Sequence, residues 1–393
     1  MIRACHVVYA VYPADPRVRK EVETLVRAGI SVHVVSARAA GESRRDTNSG
    51  VFIHRLPLEV RRGGRVRYVY QYTMFSLLTF VSLLVLQLQH RFHIVHVHSL
   101  PDFLVFFALP AKILGAKLVL DLHESMPELA AARFPVESGR RLLSLAIAAQ
   151  RLSCMVSDRV ITVNSRIAGL ISLRAGGARQ PDVVENSPDW ASSTQEFEES
   201  EPPLLAIACG LNPERDLELV IRTAGAVLAT HPINVRIVGS GDPHYVAKLR
   251  ALAKQIGSGT EIRIDDAIPG SEVLGFLSRS TFGLVTYQRN KLTELATPNK
   301  VYEYAFLGKA MVVADLPSLR NLLGDSVLYY EPGNFEELLN AILRILGDST
   351  LRRRLGNRAR DVAEGHSWEK MSGRLISVYE SVVGVSFTAP SGG

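Results

Sequence analysis

Three consecutive segments, HIVHVHS (93–99), PDFLVFFALPAKILG (101–115) and AKLVLDLHE (116–124), have the patterns of a strand, a helix and a strand. The two outer segments are short and mostly apolar, and the middle one is long enough for a helix. Strands joined across a helix lie parallel in one sheet. These residues therefore predict an α/β fold with a parallel sheet wrapped by helices.

The same alternation extends in both directions along the chain. It begins at CHVVYAV (5–11) and starts again at LLAIACG (204–210), after a polar stretch rich in Pro, Ser and Glu at 187–203. Two Rossmann-like, doubly wound domains are expected, and their ligands should lie beyond the carboxyl ends of the strands, in a cleft that the domains face. The expected parts are an N-terminal domain at 1–190, a linker at 191–203, a C-terminal domain at 204–368, a helix at 369–385 crossing back to the N-terminal domain, and a tail at 386–393.

Composition excludes several classes of protein. The chain has 393 residues, of which 47% are hydrophobic and 21% charged, as in ordinary globular proteins. Its net charge of +6 favours anionic partners, but no long basic run or basic stripe with aromatics indicates nucleic acid. Cys5, Cys154 and Cys209 form no metal or disulfide pattern, and MIRACHVVYAVYP lacks the features of a signal peptide. A cytoplasmic protein is expected.

One segment raises the question of a membrane. Residues 68–89 carry no charge and approach the length of a membrane span, but polar residues interrupt them. A core helix is the favoured interpretation. The preceding RRGGRVR, Arg61 to Arg67, predicts either a peripheral contact with an anionic membrane, at the inner face, or a solvated loop.

The segment TPNKVYEYAFLGKAMVVAD (297–315) predicts a buried helix that carries a polar stripe. Thr297 is the expected N-cap and Pro298 the first helical residue. On a helical wheel Asn299, Lys300 and Glu303 share one narrow sector. A cation near a helix N-terminus and a carboxylate close by suit a phosphate with sugar hydroxyls; the alternative is an internal Lys–Glu pair.

Two further loops of the second half follow predicted strands. LLAIACG ends at Gly210, and Arg215 is expected in the first turn of the next helix, where it predicts a bidentate phosphate contact or a salt bridge to a carboxylate. In NVRIVGSGD, Gly239 and Gly241 allow either close approach to a ligand or only a tight turn.

The first half has its own candidates at strand ends. Asp121, His123 and Glu124 follow a buried strand and predict positioning or proton transfer, or else a core histidine with an N-cap acid. Asp15 and Arg17 lie at the first strand–helix junction, where they either hold an acceptor or cap the helix. His96 and His98 share one side of an alternating strand and are interpreted as structural, not as metal ligands.

Taken together, these motifs resemble the GT-B glycosyltransferases of the large family 4 group. The resemblance runs along nearly the whole chain and rests on YPADPRVRKEVETLVRAG, HIVHVHSLPDF, LVLDLHESMPE, VVENSPD, CGLNPERDLELVI, RIVGSGD, TPNKVYEYAFLGKAMVVAD and HSWEKM, in that order.

The resemblance implies a nucleotide diphosphate sugar, with UDP, GDP or ADP as the nucleotide, bound mainly by the second domain, and an acceptor held by the first. Arg215 and Lys300 would contact the phosphates, Glu303 the ribose, and His123 the transferred sugar. Gly239 and Gly241 would flank the base. Gly210, Pro298 and Asn299 complete the expected donor site.

Two positions depart from the family pattern. Many members have glutamates eight residues apart, but Leu295 stands eight before Glu303, with Glu294 one position off; ADPRV replaces the usual Gly-rich first loop. The expected reaction is retaining transfer to a polysaccharide, glycolipid or other hydroxyl acceptor, without a metal or cofactor because no D-x-D motif occurs in a plausible loop. The alternatives are a nucleotide-sugar epimerase of GT-B fold and a non-catalytic nucleotide-sugar-binding protein.

Overall fold

A computed structural model describes residues 1–60, 65–133, 136–188, 200–257 and 260–387. The chain divides into two compact units: unit 1 is Met1–Asn186 with Glu369–Gly393, and unit 2 is Ser187–Trp368. Residues 61–64 of the predicted membrane contact, most of the predicted linker and residues 388–393 of the tail lie outside the described residues.

Unit 1 contains an eight-stranded sheet in the order β3-β4-β2-β1-β5-β6-β7-β8. All neighbouring strands pair in parallel except β3 and β4, which are antiparallel. The strands are β1 (Arg3–Val11), β2 (Ser31–Arg38), β3 (Arg45–Asn48), β4 (Val51–Glu59), β5 (Ile94–His98), β6 (Lys117–Leu122), β7 (Arg159–Thr162) and β8 (Asp182–Val183).

Helices cover both faces of this sheet. The connection from β1 to β2 runs one way across the sheet, whereas those from β4 through β7 run the other way, so right-handed crossovers place their helices on opposite faces. The helices are α1 (Pro16–Arg27), α2 (Arg65–His90), α3 (Leu109–Ile113), α4 (Met126–Arg133), α5 (Val136–Val156) and α6 (Ser165–Arg174), and α14 (Trp368–Val383) returns to unit 1 from the end of the chain.

Sequence reasoning misjudged two parts of unit 1. Residues 101–115 were expected to form one helix, but they form a 3-10 segment, Asp102–Ala108, followed by the short α3, which has Pro110 in its first turn. The reasoning also missed the β3–β4 pair and α5. The exposed β3 has the composition of a loop, RDTN, and pairing with β4 gives it strand structure.

Unit 2 contains two three-stranded parallel sheets, in the orders β11-β10-β9 and β12-β13-β14. Its strands are β9 (Leu204–Ala208), β10 (Asn234–Val238), β11 (Ile262–Asp265), β12 (Gly283–Val285), β13 (Met311–Ala314) and β14 (Leu328–Tyr330). Its helices are α7 (Leu217–Leu228), α8 (Pro243–Ile256), α9 (Gly270–Ser278), α10 (Asn299–Phe306), α11 (Pro317–Leu323), α12 (Phe335–Gly347) and α13 (Ser349–Gly365), with 3-10 turns at Pro213–Arg215 and Thr293–Leu295.

Candidate functional site

A cavity of about 500 Å³ lies in unit 2, where β9 and β10 end and α10 begins. This is the edge at which doubly wound sheets bind ligands. The cavity brings together most of the side chains and loops that the sequence predicts for a donor site. Its lining includes Gly210, Arg215, Gly239, Pro298, Asn299, Lys300 and Glu303, and also Cys209 and Ser240, which sequence reasoning did not single out.

Helix α10 is held in place from its buried side. It begins at Asn299 with Pro298 as its N-cap, so the predicted cap at Thr297 is one residue early. The Tyr304 hydroxyl, fully buried, donates a hydrogen bond of 2.5 Å to the carbonyl of Ala206 in β9. Gly308, with φ +63, follows the helix as predicted. The packed Tyr304 side of the helix thus leaves the stripe of Asn299, Lys300 and Glu303 at the cavity.

Lys300 is 5% exposed, which is unusual for a lysine. Burial lowers the pKa of Lys300, the nearby charge of Arg215 lowers it further, and Cys209 and Glu303 oppose the shift. Its described surroundings therefore combine a carboxylate with a second cation. Because an anion in the cavity would favour the charged form of Lys300 and attract Arg215, the arrangement suits a phosphate better than an internal Lys–Glu pair alone.

Arg215 lies in the 3-10 turn before α7, not in the first helical turn as predicted, because the left-handed Asp216 (φ 50) separates the two. Its guanidinium donates to the Tyr287 hydroxyl and lies over that ring, 4.5 Å from the centroid. Thr286 donates 2.6 Å to the Arg215 carbonyl and fixes the turn. Among its described contacts none is a carboxylate, so the expected alternative of a salt bridge is not what holds Arg215.

The two predicted glycines serve the packing of the loops around the cavity. A Cβ on Gly239 would lie 1.8 Å from the Cys209 carbonyl oxygen, and one on Gly241 would lie 1.9 Å from the Leu211 carbonyl oxygen. Gly241 pairs with Leu211 in an isolated bridge and is absent from the cavity lining. Close approach between loop backbones therefore requires a glycine at both positions. Gly239 also lines the cavity, so its predicted approach to a ligand stays a prediction.

Neither residue near the position of the missing first glutamate lines the cavity. Leu295 is buried in the 3-10 turn before α10. Glu294 pairs with Arg289 at 3.5 Å and does not line the cavity. Neither residue replaces the glutamate as a group facing the cavity.

Unit 1 gathers a second set of predicted residues at the carboxyl end of β6. The Asp121 carboxylate is fully buried and accepts hydrogen bonds from Nε and Nη2 of Arg17 at 3.1 and 2.7 Å. It also accepts from His123 Nε2 at 3.1 Å, and the backbone N–H of His123 donates to Ser99. Burial alone would raise the pKa of Asp121, but the Arg17 charge, the nearby His123 and the histidine hydrogen bonds hold it well below its usual range. Asp121 therefore orients His123, which is partly exposed, instead of reaching a ligand itself.

The structure corrects the expectation for Arg17. Its side chain is 3% exposed and binds Asp121, Glu21 and the Val184 carbonyl, so it cannot hold an acceptor. Asp15 accepts hydrogen bonds from the N–H groups of Arg17 and Val18, which makes it the N-cap of α1, the alternative that the sequence left open.

Glu124, the last predicted catalytic residue, is exposed immediately after the Asp121–His123 pair. Unlike Asp121, Glu124 is not buried.

A chain of hydrogen bonds connects Asp121 to the C-terminal helix. His98 Nδ1 lies 3.2 Å from Asp121, His98 Nε2 lies 2.9 Å from His6 Nδ1, and His6 Nε2 lies 3.1 Å from the Tyr379 hydroxyl. That hydroxyl lies 2.9 Å from His96 Nδ1. His98 Nδ1 also lies 3.2 Å from His123 Nε2. With His98 Nδ1 donating to an ionised Asp121 and all histidines neutral, the chain has one direction, which we predict: His98, His6 and His96 each carry hydrogen on Nδ1, and Tyr379 donates to His6.

At the far end of this chain, His96 Nε2 faces the Glu21 carboxyl at 4.0 Å. Burial lowers the pKa of His96, and burial together with Asp121 raises the pKa of Glu21 despite Arg17. These pKa shifts favour the neutral form of the histidine and the protonated form of Glu21. Sequence reasoning missed His6, Glu21 and Tyr379. His6 lies in the first strand and pairs in register with His96, so a histidine in each of two predicted strands could have indicated the cluster.

Two groups in this region have ligand atoms close enough for a metal: His98 with Asp121 and His123, and His6 with Glu21, His96 and His98. Arg17 binds both carboxylates of these groups, so a cation there would face a buried guanidinium. Asp121, His98 and His123 use one another as hydrogen-bond partners, whereas His96 Nε2 and the Glu21 carboxyl oxygens have no hydrogen-bond partner among the described residues. The structural interpretation of His96 and His98 stays a prediction.

Comparison with known proteins places the chain in a family. A model described as a glycosyl transferase 4-like domain matches residues 14–187, and one described as glycosyl transferase-like matches residues 218–377. A search of curated proteins found no match.

Solved structures match over nearly the whole length. Sucrose-phosphate synthase (tll1590) from Thermosynechococcus elongatus aligns with a TM-score of 0.76 at 14% identity, over 98% of this chain and 100% of that one. A glycosyltransferase from Rickettsia africae ESF-5 gives 0.71 at 12% identity, over 98% and 99%. Anabaena Alr3699/HepE in complex with UDP and glucose gives 0.70 at 14%, over 97% and 100%. The two family models and this shared fold show that the chain belongs to the GT-B glycosyltransferases of the family 4-like group.

Proposed function

We propose that the protein transfers a sugar from a nucleotide diphosphate sugar, bound in the unit 2 cavity, to a hydroxyl of a polysaccharide or glycolipid acceptor. The meeting of Arg215, Lys300 and Glu303 in one cavity is the observation that supports this proposal most. Two cations beside a helix N-terminus suit a diphosphate, and a carboxylate one turn further suits ribose hydroxyls. The complexes of Anabaena Alr3699/HepE with UDP and UDP-glucose make UDP-sugars the first donors to test.

In the proposed reaction the bond between the anomeric carbon and the diphosphate oxygen breaks. The acceptor oxygen bonds to that carbon and passes its proton to the departing diphosphate. Arg215, Lys300 and the N–H groups at the start of α10 would stabilise the charge that develops on the departing diphosphate, so no metal ion is required. His123, oriented by Asp121, is assigned to the transfer step. We propose retention of configuration at the anomeric carbon.

The donor site is tested with Arg215→Ala. A charge-assisted contact contributes about 1.5–3 kcal/mol, so the Kd for UDP should rise about 10- to 150-fold, measured by calorimetry. Arg344→Ala is the matched control, because Arg344 is an exposed arginine of α12 that does not line this cavity, and it should leave the affinity unchanged. An Arg215 variant that binds like wild type would remove this residue from the site.

Three activities are separated by one set of measurements on a panel of UDP-, GDP- and ADP-sugars. A transferase whose His123 acts in transfer should lose turnover in His123→Ala while donor affinity stays within twofold. An epimerase would convert the donor to a second sugar in buffer without acceptor. A binding protein would show donor affinity without any turnover, and either of the last two results would contradict the proposal.

A further inference from the structure

Helix α2 has an inverted distribution of polar and apolar side chains. Its sheet-facing side buries Gln71, Ser76, Thr79 and Gln87, all at most 3% exposed. Its outward side exposes apolar residues along its length. On a surface helix of a soluble protein the distribution is normally the opposite.

The inward polar groups are mostly satisfied by the protein. Gln71 accepts a hydrogen bond of 2.7 Å from the Tyr9 hydroxyl. The Gln87 amide donates to the carbonyl of Phe92 and accepts from its N–H group. Ser76 donates to a carbonyl one turn earlier. These contacts fix the rotation of the helix, so the apolar stripe cannot turn inward.

The stripe continues onto neighbouring helices. Helices α2, α3 and α5 belong to crossovers that run in the same direction across the sheet and lie on one face of it; α2 contacts α3, and both α2 and α5 contact the 3-10 segment Asp102–Ala108. We call the outward side of these helices the apolar face. It includes Val69 (67% exposed), Leu77, Val81 and Leu88 (64%) of α2, Ile113 (83%) of α3 and Leu145 (67%) of α5.

Charge on the apolar face has one sign. Where the structure describes side chains on α2, α3 and α5, the exposed charged ones are arginines: Arg67, Arg141 and Arg151. Pairing this face with a second copy of itself would bring like charges together, whereas anionic lipid head groups would neutralise them. Apolar patches of this extent otherwise mark sites of association.

We propose that the apolar face docks the protein flat on an anionic phospholipid surface. Within the described residues one helix, Arg67–His90, is long and apolar enough to cross a membrane. Its other side packs on the sheet through the fully buried Phe75 and Leu83, so the helix lies along the surface and does not span it. From Val69 to Leu88 the stripe is about 30 Å long at 1.5 Å per residue. The proposal goes beyond the transfer reaction and does not depend on it.

Co-sedimentation of the full chain with vesicles tests this docking without nucleotide or sugar. Wild type should bind vesicles of phosphatidylcholine with 30% phosphatidylglycerol and should bind pure phosphatidylcholine at least tenfold less. The double variant Leu77→Glu, Val81→Glu should lose binding at least tenfold and keep its unfolding temperature, because both side chains are exposed. Val385→Glu is the matched control at an exposed valine (53%) after α14, and it should bind like wild type.

Further measurements distinguish docking on a lipid surface from dimer formation and from a helix that spans the membrane. Arg141→Ser with Arg151→Ser should reduce binding to the anionic vesicles severalfold, and added salt should have the same effect. Equal vesicle binding by wild type and by the Leu77, Val81 double variant would overturn the proposal. So would a wild type that binds no vesicles but forms a stable dimer in sedimentation velocity, if the double variant abolishes that dimer. Wild type that resists release by alkaline carbonate would indicate a spanning helix and would also overturn it.

Discussion

At the scale of single residues, two neighbouring buried acids of unit 1 have pKa values shifted in opposite directions. Arg17 contacts Asp121 and Glu21 together, and both acids are at most 1% exposed. One guanidinium balances one carboxylate, so we expect the second acid, Glu21, to hold its proton. The raised pKa of Glu21 and the lowered pKa of Asp121 express this division.

Glu21→Gln tests the protonation of Glu21. Because the folded state holds this proton more tightly than the unfolded chain does, the Glu21 contribution to stability is complete below the ordinary glutamate pKa of about 4.3. It is then lost as the pH rises through the folded value. The neutral variant lacks this loss. The free energy of unfolding of the variant minus that of wild type, from urea titrations between pH 4 and 8, should therefore increase as the pH rises. Parallel pH profiles of the two proteins would contradict a protonated Glu21.

At the scale of elements, the unit 2 cavity depends on loops that approach one another closely after β9 and β10. Gly239 provides that approach because its position has no room for a side chain beside the Cys209 carbonyl. Helix α10 completes the cavity, and its hydrogen bond to β9 through Tyr304 sets its position. The site is therefore built from two loop backbones and one helix terminus.

Gly239→Ala should move these loops apart. The added methyl group would overlap the Cys209 oxygen, and overpacking of this kind costs about 1–3 kcal/mol of stability. The UDP affinity should fall as well. Gly275→Ala is the matched control, since its Cβ meets nothing within 4 Å inside α9, and it should stabilise the protein by about 0.5–1 kcal/mol. Thermal unfolding and calorimetry measure both effects; a Gly239 variant that matches wild type would show that the loops adapt.

At the scale of the whole molecule, the last helix belongs in space to the first unit. Helix α14 follows unit 2 in the chain, yet its fully buried Met371, Leu375 and Tyr379 lie in unit 1. Tyr379 lies between His6 and His96, and the chain of hydrogen bonds continues to Asp121 and His123. The end of the chain thus supports the residues that orient His123.

Tyr379→Phe removes the hydroxyl and leaves His6 Nε2 and His96 Nδ1 without that partner. Unsatisfied buried groups cost about 1–3 kcal/mol each, so the free energy of unfolding of unit 1 should fall by at least about 1 kcal/mol. Tyr70→Phe, at a tyrosine 58% exposed, should change it by less than about 0.5 kcal/mol. Nitrogen-15 spectra of wild-type histidines should show hydrogen on Nδ1 of His6, His96 and His98; hydrogen on Nε2 of His6 would contradict the assigned direction of the chain.

Much of the lining of the unit 2 cavity was predictable from local sequence. Arg215, Lys300 and Glu303 follow strand ends or share one helical stripe, and both signals are short-range. The role of Arg17 was not predictable, because two of its partners, Asp121 and the Val184 carbonyl, lie more than a hundred residues away in the chain. A position at a helix start suits an exposed or a buried arginine equally well.

The alternation of strands and helices by itself determined the α/β class, the parallel sheets and the strand ends where a ligand would bind, because periodicity and chain direction act locally. Only the tertiary structure decided that Arg17 is buried, that Gly241 serves a backbone contact and that α2 turns its polar side chains inward. These outcomes depend on which distant groups meet each side chain, and burial free energies are set by such partners and not by the residues next to it in the chain.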